Sequence, residues 1–517
     1  MSEVEQSKQY EVNAYHFRTS SNSGYLNMDL FDEWSMDELH DLIRDPMSNN
    51  EALRRLSEIV YNSNGIVTNT IDYMVALPTF DRVVVPYGDI DTADVRREQV
   101  KNALDSIRDV ELGRDCLHNV FVDGVAFYYL ETSKRPLSKT KQMSDWEVYS
   151  ITDINSDYKA SCISLSPDYT KIVGIKNSSY VLAFNLEYFD LHGTESAESK
   201  LRKYPKEIRE AYRKYHEGKT GKNWYVLDND RTIAVKFRAK KSEPWGRPLV
   251  LAALEDIFYA DYFTDTKRTV LDEVNNRIYY QTFPEGDKKG MSALTQKQQE
   301  AQHNAVKQGI TSKNNRGGTS FFSVAAGTKI DTLETNVDLL DEKNETNLRS
   351  NVSTSIGFAG SLLSGAGNSS YSAQESNLRL VTAEIFHVIE LFTNELNKVL
   401  NADLFKNGKN CAKVCYLPIT FANRSAFADE AKSLYLQGRG SLLIWAAAVG
   451  IRPEAFTSIM DYEVKMDFEN KYPVHQTSFT QSASDSTGGR PSVDDATNPN
   501  TVASKTNNTN SQPKPGD

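Results

Sequence analysis

Residues 248–274 read PLVLAALEDIFYADYFTDTKRTVLDEV. Pro248 takes a position favoured in a first helical turn, and the helical pattern then runs unbroken for about 27 residues, roughly 40 Å at 1.5 Å per residue. Leu251, Leu254, Phe258, Tyr262, Val270 and Val274 fall on one broad stripe, while Asp256, Asp261, Asp265, Lys267 and Asp272 keep the other faces wet. A helix this long needs neighbours along its whole length. Directly after it, Arg277 to Phe283 reads as a strand, Thr295 to Gln308 (TQKQQEAQHNAVKQ) as a polar helix, Thr319 to Val324 as a second strand, and Lys329 to Leu333 as a further extended run. This is a small βαβ insertion whose helix has almost no apolar face, so it must rest on partners or on copies of itself. Asp341 to Ser355 then resumes a helical pattern.

Outward from this centre the pattern changes in both directions. Upstream, RDPMSNNEALRRLSEIVYNSNGIVTNTIDYMVALP (44–78) predicts two amphipathic helices broken at Asn64-Gly65, and the Tyr, Asn, Asp and Ser-rich residues 1–45 read as an arm. From Asp115 to Tyr188, VFVDGVAFYYLE, WEVYSIT and YVLAFNLEYF predict a sheet, followed by a helix over Pro205 to His216 and a strand, RTIAVKF. Downstream, GFAGSLLSGAGNSSYS (357–372) is a Gly/Ser loop, and Ser372 with Glu375 has the spacing of a capping box that opens a helix to about Asn401. Cys415 to Phe421 is expected as a strand, Ala426 to Gln437, Ser441 to Val449 and Pro453 to Tyr462 as helices, and 476–517 as disordered. The fold class is α+β.

Composition narrows the function. The 517 residues carry 59 Lys+Arg against 70 Asp+Glu, a net charge of −11, which argues against a protein that simply coats nucleic acid. The longest apolar stretch, Leu442 to Ile451, is too short for a bilayer crossing, and the start has no secretory pattern. Four cysteines fit a reducing compartment, with Cys116 and Cys162 in apolar, strand-like surroundings. Gly218-Lys219-Thr220-Gly221 lacks the first Gly and the preceding strand of a phosphate-binding loop, so it reads as an exposed turn. Cys411 and Cys415 lack companions for a zinc site, and Asp228-Asn229-Asp230 lacks the Gly and distal Glu of a calcium loop. His387, on the apolar helix, is expected as a core or interface histidine. No catalytic residue, metal site or cofactor is expected.

The order of these parts, carried by RDPMSNNEALRRLSEIVYNSNGIVTNTIDYMVALP, by the 248–274 helix and by IGFAGSLLSGAGNSSYSAQESNLRLVTAEIFHVIELFTNELN (356–397), resembles the tailed-bacteriophage portal proteins. The resemblance covers roughly 45–470. It implies a non-enzymatic homo-oligomer, twelve subunits in a ring at one capsid vertex. Double-stranded DNA would pass through it, pumped by the terminase large subunit and later ejected. Major capsid protein, scaffold and a head-completion or adaptor protein are the other implied partners. The place would be the virion, with the host cytoplasm during assembly and no membrane. The implied divisions are an arm (1–45), wing (46–246), first stem helix (247–275), clip (276–335), second stem helix (336–357), tunnel loop (358–374), a helix and wing return (375–425), crown (426–475) and tail (476–517).

Twelve copies of such a chain carry about −132 in all, so a salt-bridged grip along the bore is not expected. The loop from Ala359 to Ser370 is formally uncharged. Ser361, Ser364, Asn368 and Ser369 are expected to line the constriction, with Gly360, Gly365 and Gly367 letting the loop move. Lys343 and Arg349 on the second stem helix are candidates to face the bore, or to pair with Asp256, Asp261 or Asp265 of a neighbour. Lys288, Lys289, Lys313 and Arg316 are candidate partner contacts at the clip tips. Two other classes are a DNA-packaging enzyme, nuclease or motor, and another capsid or baseplate structural protein. The first lacks a phosphate-binding loop and a carboxylate set, and the second has no reason for two long helices around an insertion.

Overall fold

The structure, a computed structural model, describes residues 36–131, 161–191, 197–202, 204–218, 221–275, 279–287, 291–311, 324–332, 342–358, 371–405 and 410–472. The chain divides into two compact units, Met1–Glu430 and Ala431–Asp517.

The first unit opens with α1 (Met36–Arg44), α2 (Asn50–Ser63) and α3 (Gly65–Ala76). The break at Asn64-Gly65 is where the sequence places it. The Asn64 side chain accepts from the backbone N–H of Ile66 at 3.1 Å and of Val67 at 3.3 Å, capping α3. The arm boundary at residue 45 is too late: α1 buries Leu39 and Leu42 in the main core. Its signal was three-residue apolar spacing, with Asp37 and Glu38 in the first turn and Arg44 in the last, where each suits the helix dipole.

β1 (Arg82–Tyr87) leads to α4 (Ala93–Ile107) and α5 (Asp109–Asp123), then β2 (Val125–Glu131). The sheet expected from Asp115 therefore starts ten residues later. Leu117, Val120 and Phe121 have helical spacing and are buried on α5, and Cys116 is a buried helical thiol rather than a strand residue. The switch comes at Gly124, whose φ of +80° suits glycine. β2 then alternates. Ala126, Tyr128 and Leu130 enter the core shared with α5, while Val125, Phe127 and Tyr129 enter a second, aromatic core with Phe184, Phe189 and Trp245. Each such large side chain fully buried stabilises by about 1.5–3 kcal/mol.

The rest of this region is β3 (Ser161–Ser164), β4 (Thr170–Lys176), β5 (Ser179–Asn185), α6 (Ala197–Arg202), α7 (Lys206–His216), β6 (Trp224–Val226) and β7 (Thr232–Lys236). Two antiparallel sheets result, in the orders β3-β2-β7 and β4-β5-β6, with Phe127 opposite Ala234 and Phe184 opposite Tyr225. WEVYSIT (146–152) lies outside the described residues.

The long helix begins later than expected. Leu249–Ala253 is a 3-10 turn, and the α-helix proper, α8, is Leu254–Asn275. The insertion contains β8 (Tyr279–Thr282), α9 (Gln296–Thr311) and β9 (Lys329–Thr332), with β8 and β9 antiparallel; the second strand of the expected βαβ unit is the earlier run, 319–324. The strand expected over 319–324 lies outside the described residues except Val324, which is not in a strand. α10 (Glu342–Ile356) follows, then α11 (Tyr371–Leu404) and β10 (Cys411–Tyr416).

α11 is already helical at Tyr371, so Ser372 sits inside its first turn rather than capping it, and Glu375 pairs with Arg379 at 2.7 Å. Val381, Ile385, Val388, Ile389, Phe392 and Leu396 form the buried band. His387 is not in the core: it is exposed on the single chain, because two residues on from Ile385 is about 200° round the helix. β10 lies four residues before the strand expected at Cys415 and pairs antiparallel with β1, Val414 opposite Val84. Pro418, which has no N–H to donate, helps end the ladder.

The second unit takes over within α12 (Arg424–Leu436) and contains α13 (Leu442–Val449), α14 (Pro453–Lys465) and α15 (Phe468–Lys471). α13 and α14 meet at a bend of 113°. Among the described residues no single helix is long and apolar enough to cross a membrane.

Candidate functional site: an antiparallel helix pair rooted in the core

α8 and α10 lie side by side and antiparallel, as two cross-links show. Ser355 donates to Asp256 near the core, and eleven residues further along α8 the Lys267 ammonium meets Glu345 at 2.9 Å. The hydrogen bond from Lys267, with the nearby Arg349, holds the Glu345 carboxyl below the usual carboxylate range. The roots are buried through Leu254, Ile257 and Phe258 on α8 and Val352, Ile356 and Phe358 beside them. Beyond the roots burial ends. From Tyr259 to Val270, and from Lys343 to Asn351, no residue is buried, and Tyr259 and Tyr262 are each 57% exposed. That bare length is roughly 18 Å of helix.

A rigid joint aims the pair. Lys236, at the end of β7, is 5% exposed, and its ammonium donates to the carbonyls of Lys240 at 2.7 Å and Glu243 at 2.6 Å. It also lies 4.5 Å from the centre of the Tyr180 ring. Burial lowers its pKa. Within the folded loop Glu243 grips Arg247 through both carboxylate oxygens, at 2.8 and 2.9 Å, and that contact pulls the Glu243 carboxyl down to about 2. Gly246 passes over Gly124 so closely that a methyl on Gly246 would stand 1.9 Å from the Gly124 carbonyl oxygen. Arg54 stacks over Trp245 at 5.5 Å while pairing with Asp168 at 2.8 Å. Two residues after Gly246, Pro248 starts the approach to α8.

α11 runs behind this joint and ties the sheets together. Arg238 pairs with Glu384 at 2.8 Å. Lys398 donates to Ser179 Oγ at 2.7 Å and to the Thr232 carbonyl at 2.9 Å, and pairs with Glu395 at 2.7 Å. Asn397 imitates a strand neighbour, accepting from Val414 N–H at 2.8 Å and donating to the Val414 carbonyl at 2.9 Å. At the front of α11, Asn377 donates to the Gly357 carbonyl at 3.1 Å, joining the helix to the end of α10, where Gly357 has φ +93°.

The residues expected to matter are placed unevenly. Gly360, Ser361, Ser364, Gly365, Gly367, Asn368 and Ser369 lie outside the described residues, as do Lys288, Lys289, Lys313 and Arg316. Lys343 and Arg349 are both exposed on α10. Arg349 pairs with Glu345 of its own helix at 2.7 Å, Asp256 accepts from Ser355, and Asp265 pairs with Arg268 at 3.0 Å. The carboxylates proposed as a neighbour's counter-charges thus include two that have partners inside the chain. Sequence reasoning missed Lys236 and Asn397, since nothing in a strand or helix pattern says which polar side chain turns inward. Among the described residues no group of three His, Cys, Asp or Glu could hold a metal ion.

No protein-family profile matches the sequence. A Bacillus subtilis (strain 168) protein, the SPbeta prophage-derived uncharacterized protein YonE, is 22% identical over 538 residues, covering 99% of this chain and 98% of its own. Similar solved structures include the neck of an empty GTA particle (TM-score 0.46, 12% identity, 81% of this chain and 95% of that one). Another is an HK97 family phage portal protein from Corynebacterium diphtheriae (TM-score 0.30, 10% identity, 71% and 94%).

Proposed function

We propose that the chain is the portal subunit of a tailed phage or prophage, a structural ring component rather than an enzyme. The observation that carries this is the bare helix pair. Helical segments of about twelve residues are marginal alone in water, and two of them projecting from a core with only edge contacts need flanking partners. Copies of the same pair, set side by side around an axis, supply them. The order of parts resembles portal proteins, and the full-length relative is prophage-derived, which agrees with a phage origin.

In this reading α8 and α10 are the stem, the β8, α9 and β9 insertion is the clip, 358–370 is the tunnel loop, shorter than the expected 358–374 because α11 is helical from Tyr371, and the region before α8 is most of the wing. Double-stranded DNA moves through the ring. The small polar and glycine residues Gly360 to Ser369 line its constriction. Lys288, Lys289, Lys313 and Arg316 face the terminase or an adaptor, and Lys343 and Arg349 are the cations nearest the bore. Capsid protein and scaffold hold the outer rim, and twelve copies are the expected number.

The test is electron microscopy of the purified protein. Rings with a central hole of duplex width are expected. A monomer at micromolar to millimolar concentration, with slow hydrogen exchange along α8 and α10, would overturn the proposal, and ATP hydrolysis or metal-dependent DNA cleavage by the pure protein would move it to the enzyme class.

A further inference from the structure

The chain is acidic as a whole, but one stretch is not. KLRKYPKEIREAYRKYHEGKTGK (200–222) carries nine Lys and Arg against three Glu, a net charge of +6 in a protein of −11. It spans the end of α6, all of α7 and the approach to β6. α7 turns Ile208, Ala211 and Tyr212 inward and leaves Lys206, Arg213, Lys214 and His216 exposed, and Lys222, just before β6, is exposed as well. Lys206 and Arg213, seven residues apart, share a face and stand about 10 Å apart along the axis. Lys200 is tied to the Leu191 carbonyl at 3.1 Å, and Lys203 and Lys219 lie outside the described residues.

The glutamates do not cancel these charges. Glu207 is turned to the sheets, accepting from the Tyr129 hydroxyl at 2.7 Å and the Asp228 N–H at 3.0 Å. Glu210 pairs with Lys206 at 3.4 Å, and Glu217 is exposed just after the last turn. Asp228 and Asp230, also exposed, lie beyond the other end of β6. Arg213, Lys214 and Lys222 make no ion pair among the described residues. Helix stability accounts for part of the pattern, because Arg213 and Lys214 suit the negative end of the helix dipole. Lys206 does not, since a cation at the first residue of α7 opposes the dipole, and Lys222 belongs to no helix.

We propose that this face binds the phosphate backbone of double-stranded DNA without reading its sequence, through residues other than those assigned to the channel. Among the described residues from Lys200 to Lys222 no large apolar side chain is exposed. A protein partner needs apolar or aromatic anchors at the centre of its interface, whereas phosphates need only cations within reach. The inference goes beyond the ring reading and does not depend on ring closure.

The experiment follows a fluorescent mixed-sequence duplex binding to the full-length chain by anisotropy across a salt series. With Lys206, Arg213, Lys214 and Lys222 all in contact, log K should fall against log salt with a slope of about −3.6. Arg213→Glu with Lys222→Glu should flatten that slope by about 2 and weaken binding by more than about tenfold. Arg213→Gln with Lys222→Gln should flatten it equally, both chains keeping the wild-type circular dichroism. Lys432→Glu with Lys465→Glu makes the same change in net charge on exposed residues of the second unit and should keep the wild-type slope. No duplex binding by wild type at low salt, or an equal slope in the two Glu chains, overturns the proposal. Polyglutamate bound as tightly as the duplex would make the face a site for an acidic protein and overturn it too. Rings without duplex binding would leave the portal reading standing and remove this one, and duplex binding by a chain that forms no ring would do the reverse.

Discussion

Lys236 occupies a place where hydrophobic residues are the rule, a strand position buried with its neighbours Thr232 to Val235. Its ammonium is tolerated because backbone carbonyls of the next loop surround it, so one side chain shapes the loop that precedes α8. Replacing it by Met keeps the bulk and removes the donors, stranding at least two carbonyls. Lys236→Met is expected to cost about 2–4 kcal/mol in urea unfolding. It should also speed hydrogen exchange over residues 238–247, while Lys241→Met, an exposed neighbour, should stay within about 0.5 kcal/mol. A result under about 1 kcal/mol for Lys236→Met would mean that water replaces the ammonium without loss. The strand RTIAVKF was legible from its β-branched and apolar run, but a run buried on both faces has no alternation to show where Lys236 points.

At the level of elements, legibility followed local signals. Asn64-Gly65 and the strand around Thr232 came out as read, because a capping side chain and a β-rich run act within a few residues. The end of α5 reads as strand in the sequence because Val, Phe and Val in VFVD have high β preference, and packing of Leu117, Val120 and Phe121 on α2 and α3 outweighs it. β10 was displaced because its limits are set by β1, more than 300 residues away in sequence, and no local pattern carries that register. α1 was lost inside a polar arm although it is tied to the core. Leu39→Ala, at a fully buried position, should therefore cost about 2–5 kcal/mol, whereas Leu380→Ala on α11, 71% exposed, should change stability by less than about 0.5 kcal/mol. Chemical denaturation of the two variants beside wild type checks this, and equal effects would remove α1 from the core.

For the whole molecule the two units differ in kind. The first contains both hydrophobic clusters, from Leu39 to Val414, and needs nothing beyond its own sequence to bury them. A chain ending at Gly440 is expected to keep its main unfolding transition within about 4 °C, the shift that about 1 kcal/mol or less produces in a unit of this size. Calorimetry of the two chains decides it, and a collapse of the main transition would make the second unit part of the same fold. The candidate site was legible in outline as two helices around an insertion. Its bareness was not, because exposure depends on which surfaces the rest of the chain leaves uncovered. The crossing of Gly246 over Gly124 then sets how the first unit handles load. With no room for a methyl between the two backbones, twist applied at the far end of α8 has no slack to take up there, and it is delivered to β2 and α5 as through a keyed shaft.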